Sequence, residues 1–238
     1  MRILKLIITG MLIQLCVQST FSQVQLKSKK GEPMTLPDQG LSMNDIEKII
    51  LRPTVTGSAF GPMSKVVVYL LLKDGTIYSR PNVSPHDFDV KTSRSSNPKR
   101  WGTWSKKNNK LAIEFKTPQE WVNFYETYTT NKKETVAGIY KCVGAFYGSK
   151  VHDFNTLILQ KNGRFTWRYF FRSNKKYIPH KKDKEISGNY SISNYTIQFT
   201  YDNGQKERLL FAIHKKNTGV IVGDKSFFKF NHPLLKMN

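Results

Sequence analysis

Cysteine is almost absent from this chain: two residues in 238, Cys16 and Cys142. Cys16 lies inside an apolar N-terminal stretch that reads as a removable leader, which leaves Cys142 alone and excludes a disulfide within the mature chain. Stability must therefore come from a packed core. Tyr140, Lys141, Val143 and Gly144 around Cys142 bring no histidine or carboxylate to it, so the thiol reads as a buried structural group. The chain also lacks His-Glu-x-x-His, Gly-x-Ser-x-Gly, a cysteine pair and a phosphate loop, the short motifs that announce common hydrolytic, metal and nucleotide chemistry. It lacks acidic residues as well, 17 against 38 basic ones, for a net charge of +21. Arginine is scarce: 9 of those 38, the other 29 being lysine. That balance makes a diffuse positive field rather than planar, bidentate phosphate sites.

Arg2 and Lys5 precede an apolar run from Leu6 to Val17, and Ser19, Thr20, Phe21 and Ser22 follow with small residues at alternate positions. A positive start, a short apolar centre and a small-residue cleavage site predict a secretory signal peptide over 1–22, cut before Gln23. The run is about a dozen residues, short of the roughly 20 that span a bilayer. The bulky Gln14 and Leu15 before Cys16 do not fit the small-residue box of bacterial lipoproteins. The expected location is outside the cytoplasm, in the periplasm or the medium. Loss of Arg2 and Lys5 leaves 36 basic against 17 acidic residues, a net of +19. Out there the polyanions to meet are lipopolysaccharide, acidic polysaccharide and anionic membrane, with no specific nucleic acid expected.

The architecture is clearest from Thr156 to Tyr201. Leu157, Leu159, Phe165, Trp167, Tyr169 and Phe171 fall on alternate positions of two runs with polar residues between them, the period of a half-buried strand. Lys161-Asn162-Gly163 separates the runs and predicts a hairpin turn. A second pair comes next, with Gly188, Tyr190 and Ile192, then Tyr195, Ile197, Phe199 and Tyr201. Upstream, 23–64 reads as a polar lead-in with a short helix over Ser42–Leu51, capped by Ser42 and stopped by Pro53. Residues 65–128 read as a first β unit, with a strand over Val66–Leu72, a turn at Lys73-Asp74-Gly75 and a long loop over Pro81–Arg100. Thr117-Pro118-Gln119-Glu120 has the signature of a helix start, with Trp121, Phe124, Tyr125 and Tyr128 along one side. Residues 129–137 form the expected linker, and 138–238 the second β unit.

The units repeat. Leu72–Ile77 matches Gln160–Phe165, Gly102-Thr103-Trp104 matches Gly188-Asn189-Tyr190, and Leu111–Phe115 matches Tyr195–Phe199, at offsets of 88, 86 and 84 residues. One four-strand unit used twice accounts for so small a drift. The fold expected is mainly β: an antiparallel meander or barrel made of two related four-strand units, with one or two short helices. Leu157–Phe171, Gly188–Tyr201, Asn203-Gly204 and Val220–Phe230 together resemble the lipocalin-like (calycin-type) domains of exported bacterial proteins. The Gly-x-Trp of lipocalins stands near their N-terminus, whereas Gly102-Thr103-Trp104 lies mid-chain. The resemblance implies an up-and-down barrel whose apolar interior holds a small hydrophobic molecule.

The candidate ligand-binding residues are thus Trp104, Phe165, Trp167, Tyr169, Tyr190 and Phe199. The candidate polyanion contact is the loop bearing Lys175, Lys176, Lys181, Lys182 and Lys184. No catalytic residue, metal ligand or cofactor is assigned. Together these features predict a non-enzymatic binding protein for an apolar or amphiphilic ligand, with a basic surface facing anionic envelope. An enzyme acting on envelope polymers is the alternative, with His86, Asp87 and Asp89, the densest polar cluster, in its site; a structural protein docking a partner at its β edges is a third reading.

Overall fold

The computed structural model describes residues 26–28, 30–58, 61–107, 110–115, 120–143, 151–173 and 184–230. Seventeen strands and two short helices occupy them. The first region holds β1 (Leu26–Lys27), β2 (Pro33–Met34), β3 (Ile46–Ser58), β4 (Gly61–Leu72), β5 (Thr76–Ser79), α1 (Val90–Ser96), β6 (Trp101–Lys107), β7 (Lys110–Glu114), β8 (Glu120–Val122) and β9 (Tyr125–Tyr128). After α2 (Lys133–Val136) come β10 (Gly138–Val143), β11 (Val151–Leu159), β12 (Arg164–Ser173), β13 (Lys184–Ser193), β14 (Thr196–Tyr201), β15 (Lys206–His214), β16 (Gly219–Val222) and β17 (Lys225–Lys229).

Strands β10 to β17 form a closed eight-strand antiparallel barrel. The order runs β14-β13-β12-β11-β10-β17-β16-β15, and β15 returns to β14 through pairs such as Phe199↔Glu207. Alternation decides which side chains go in: Leu157, Leu159, Phe165, Trp167, Tyr190, Phe199, Phe211 and Phe227 make one buried cluster. Such a barrel is compatible with the lipocalin-like resemblance. The first unit is an antiparallel meander from β3 to β8. Strand β9 comes back along the free edge of β3, with Ile50 opposite Glu126, and also meets β15, with Ile213 opposite Tyr128. It thereby stitches the two units together.

This arrangement creates three cores. One fills the barrel, one lies within the first unit around Ile50, Tyr69, Leu71, Ile77 and Ile113, and one lies between the units. The last packs Ile49, Leu51, Val68 and Leu70 against Leu210, Ala212 and Ile221 on the outside of the barrel. Residues 82–84 reinforce this joint by running beside β15: Leu210 N–H donates to Asn82 O (3.1 Å) and Ser84 N–H to Arg208 O (3.3 Å).

The repeat extends to its hydrogen bonding. Gly75 and Gly163 take φ of 84° and 85°, and Asp74 and Asn162 accept from the N–H two residues on, at 2.9 and 3.0 Å. Ile77 pairs with Gly102 as Phe165 pairs with Gly188. Trp104 N–H donates to Gly75 O as Tyr190 N–H donates to Gly163 O. Even the side chains correspond: Trp104 Nε1–H donates to Leu72 O and Tyr190 O–H to Gln160 O, both at 2.8 Å.

Several local expectations are corrected. Ser42–Leu51 is not a helix: Ser42 and Asp45 close a turn (N–H to Oδ2, 2.8 Å), and Ile46 opens β3. Adjacent Ile49 and Ile50 are buried in different cores, which a strand allows and one face of a helix does not. The first unit does not end in a helix either. Glu120–Val122 and Tyr125–Tyr128 are strands that cover the edges of β7 and β3, since an unpaired edge outweighs a favourable local cap; residues 117–119 lie outside the described residues. The stretch 52–64, the end of the expected lead-in, continues the β3–β4 pairing as far as Ser58↔Gly61. Pro81–Arg100, expected as a long loop, holds α1 and two 3-10 turns. The linker holds α2, whose Val136 is fully buried as part of the barrel core.

Candidate functional site

Four of the six candidate ligand residues meet inside the barrel. Phe165 and Phe199 pack tilted, with centroids 4.6 Å apart, Trp167 lies 5.7 Å from Phe199, and Phe227, not picked out from the sequence, meets Trp167 edge-on at 5.7 Å. Tyr190 completes the cluster, its hydroxyl held by Gln160 O and pushed up to about 12 by burial. Trp104 occupies the matching position in the other unit and so belongs to a different core. Tyr169 lies on β12 opposite Asn155 and Lys184, and its side chain lies outside the described residues.

Beyond Trp167 the interior changes character. Strand register places Cys142 opposite Asn155, one inward step past Tyr140 and Leu157. Cys142 and Tyr201 pack half-buried on the aromatic layer, and Asn155 Oδ1 is buried with no hydrogen-bond partner among the described residues. Burial pushes the Cys142 thiol up, opposed by the nearby charge of Lys225. Ile186, opposite Trp167, is 36% exposed. Strand β12 ends and β13 begins here, at Ser173 and Lys184. Of the candidate polyanion contacts, Lys184 is exposed at the start of β13, whereas Lys175, Lys176, Lys181 and Lys182 lie outside the described residues.

The His86 cluster is not one site. Asp89 caps α1, accepting from Thr92 N–H (2.9 Å) and Oγ1–H (2.6 Å). Asp87 is buried, accepts from Asp38 N–H (2.9 Å) and lies 3.2 Å from Arg208 Nε. Burial raises its pKa, against the hydrogen bond from Asp38 and the charge of Arg208. His86 Nδ1 bonds Leu41 O at 2.6 Å, and its Nε2 is buried without a partner among the described residues. His86 belongs to a cleft of about 210 Å³ between the units, walled by Asp38, Ser42 and His86 on one side and Ser193, Asn194 and Arg208 on the other. The pairing of Asp38 with Arg208 spans 170 positions of sequence, and nothing local announces it.

Sequence reading also passed over Glu32, which is 1% exposed. Its carboxylate accepts from Asn82 N–H (2.9 Å), Val83 N–H (3.0 Å), Tyr78 O–H (3.2 Å) and Arg100 (3.1 Å), fixing the segment that runs beside β15. Among the described residues no group of three histidine, cysteine or acidic side chains stands close enough to hold a metal ion, and no helix is long and apolar enough to cross a membrane. Compared with known protein families, characterised proteins and solved structures, the chain matches none.

Proposed function

We propose that this protein is an exported, non-enzymatic binding module whose barrel takes an amphiphilic small molecule at the end beyond Trp167. One observation carries the reading: inside a closed barrel, an aromatic layer gives way to Cys142 and to a buried Asn155 oxygen without a partner among the described residues, at the level where Ile186 is exposed. Rings in contact at 4.6 to 5.7 Å fill their own level, so the ligand rests on Trp167 and Phe227 rather than among them. Its polar group faces Cys142 and Asn155, where a donor satisfies the unpaired Asn155 oxygen. Each methylene laid on the aromatic floor contributes about 0.8 kcal/mol, so a short acyl segment suffices for binding. The net charge of +19 left after removal of the leader supports an accompanying association with anionic envelope, through Lys184 and the lysines before it.

The test is native mass spectrometry of residues 23–238, purified from the source cell without detergent, with thermal shift against fatty acids and glycolipids. A discrete adduct that releases a lipid-like molecule, and a matching rise in midpoint lost in Trp167→Ala, is the expected result. A bare chain in repeated preparations, with no shift for any amphiphile, overturns the reading.

A further inference from the structure

The cleft between the units calls for a different ligand, because its charge contradicts that of the whole molecule. On a protein of net charge +21 an anion is the first partner to consider. Here the cleft's one guanidinium is already taken: Arg208 makes two bonds to Asp38, at 3.1 and 2.5 Å, and an ion pair with Asp87 at 3.2 Å. Two carboxylates stand against the one guanidinium, so that cation is not free for an anion. Phosphate or carboxylate would meet a site of the wrong sign.

What the cleft does offer is neutral hydrogen bonding. Backbone contacts brace one wall, with Gly40 N–H donating to His86 O at 2.6 Å and Leu41 N–H to Pro85 O at 3.0 Å. Because Leu41 O accepts from Nδ1–H of His86, the neutral ring keeps its lone pair on Nε2, the atom left without a partner among the described residues. Ser42 donates its hydroxyl hydrogen to Asp45 (2.7 Å) and so presents lone pairs. On the opposite wall Asn194 sits in the turn between β13 and β14 at φ 52°, with its backbone N–H fixed on Asn131 Oδ1 (2.7 Å). Asn194 and Ser193 line this side of the cleft, and both carry side-chain groups able to donate. A ligand bearing adjacent hydroxyls donates and accepts at once, which is what such a wall requires. The volume of about 210 Å³ has the scale of one sugar ring rather than an extended chain.

We propose that the cleft between the units is a binding site for a neutral polyhydroxylated ligand, one sugar unit in size, with His86 Nε2 accepting from a ligand hydroxyl and Asn194 contacting it from the other wall. Its walls come from both units, so an occupant clamps them and stabilises the whole chain. The site is independent of the barrel interior, and a Trp167→Ala protein retains it.

The experiment titrates the mature chain with galactose, mannose and N-acetylglucosamine, and separately with inorganic phosphate and choline. Two quantities are read: the thermal midpoint and the imidazole Cε1–H resonance of His86, assigned with His86→Gln. The expected result is a saturable shift of that resonance, with a raised midpoint, for at least one sugar. Asn194→Gly keeps the turn's positive φ while removing the amide, and weakens binding about tenfold, the order of one hydrogen bond. Trp167→Ala leaves the sugar response unchanged even if it abolishes amphiphile binding. Should phosphate or choline move the His86 resonance more than every sugar, or should no probe move it, the proposal is overturned.

Discussion

The two units share a turn, a glycine crossing and an aromatic lock, yet only the second closes into a barrel. The strands matched by the repeat are β4 to β7 and β11 to β14, and they carry the same hydrogen bonds. Their continuations differ. After β14 the chain supplies β15, nine residues long, which reaches β14 on one side and β16 on the other. After β7 it supplies only the three-residue β8, and β9 then pairs with β3 and β15. Closure is therefore a property of the strands appended to the repeat. The edge that the first unit leaves open is the edge that joins it to the second.

If closure is what makes the second unit rigid, equal damage to the two cores has unequal effects. Leu157→Ala empties a fully buried position in a closed wall, and the cavity cannot collapse: a loss of about 4 kcal/mol is expected. Leu71→Ala, equally buried in the open unit, allows relaxation and costs about 2 to 3 kcal/mol. Urea unfolding of both variants checks this, and a larger loss for Leu71→Ala would break the comparison.

The glycine crossing sharpens it. A Cβ at Gly188 would stand 2.1 Å from Thr200 O, 2.8 Å from Tyr201 Cα and 2.9 Å from the Phe165 ring; at Gly102 it would meet Glu114 O at 2.2 Å but otherwise chiefly the movable ring of Phe115. Gly188→Ala should cost about 3 kcal/mol and Gly102→Ala about half of that. Equal losses would mean that the first unit is as constrained as the barrel.

These glycines also mark how far the sequence could be read. Period-two alternation, Asn-Gly and Asp-Gly turns and the offset of 86 located the repeat and the barrel's aromatic layer, because each depends on neighbours a few residues away. The errors came where a distant strand decided the outcome. Ser42–Leu51 carries helix caps and isoleucines at helical spacing, but β4 is there to pair with it. Trp121 to Tyr128 carries an aromatic stripe, but the edges of β7 and β3 claim it. The cleft was half visible: His86 and Asp87 stood out as a polar pair, while Asp38, Asn194 and Arg208 are ordinary turn and strand residues until the fold gathers them. Glu32 gave no signal, because a lone glutamate in a polar lead-in looks solvated.

Glu32 tests the joint that the comparison rests on. Burial holds its carboxyl above the ordinary value of 4.5, against the pull of Val83 and Asn82 N–H and of Arg100. A raised carboxyl means that the folded state binds more protons than the unfolded one just above pH 4.5, so this group's contribution to stability falls as pH rises through that window. Glu32→Gln removes that fall. It also turns an amide N–H₂ or a weaker acceptor toward the Asn82 and Val83 donors, for an overall loss of about 2 kcal/mol at neutral pH. Stability measured from about pH 4 to 8 should show both. An unchanged pH slope in the variant would mean that Glu32 stays ionised throughout.

The smallest effect expected is at the aromatic lock. Trp104→Phe and Tyr190→Phe each delete one side-chain donor to the carbonyl before the hairpin turn while keeping a ring in place. Both carbonyls stand at residues with the same role in the repeat, so each loss should be about 1 kcal/mol. Each carbonyl keeps a bond from the turn glycine, Gly75 or Gly163 N–H, and solvent access separates the lone pair that is freed: Leu72 is buried at 3%, so water does not reach it, whereas Gln160 is exposed and water can replace the tyrosine hydroxyl. Trp104→Phe should therefore be the more damaging of the two, reversing the order seen with the core and glycine substitutions. That reversal distinguishes rigidity from hydrogen bonding as the source of each unit's stability: a lock governed by closure would keep Tyr190→Phe the worse variant.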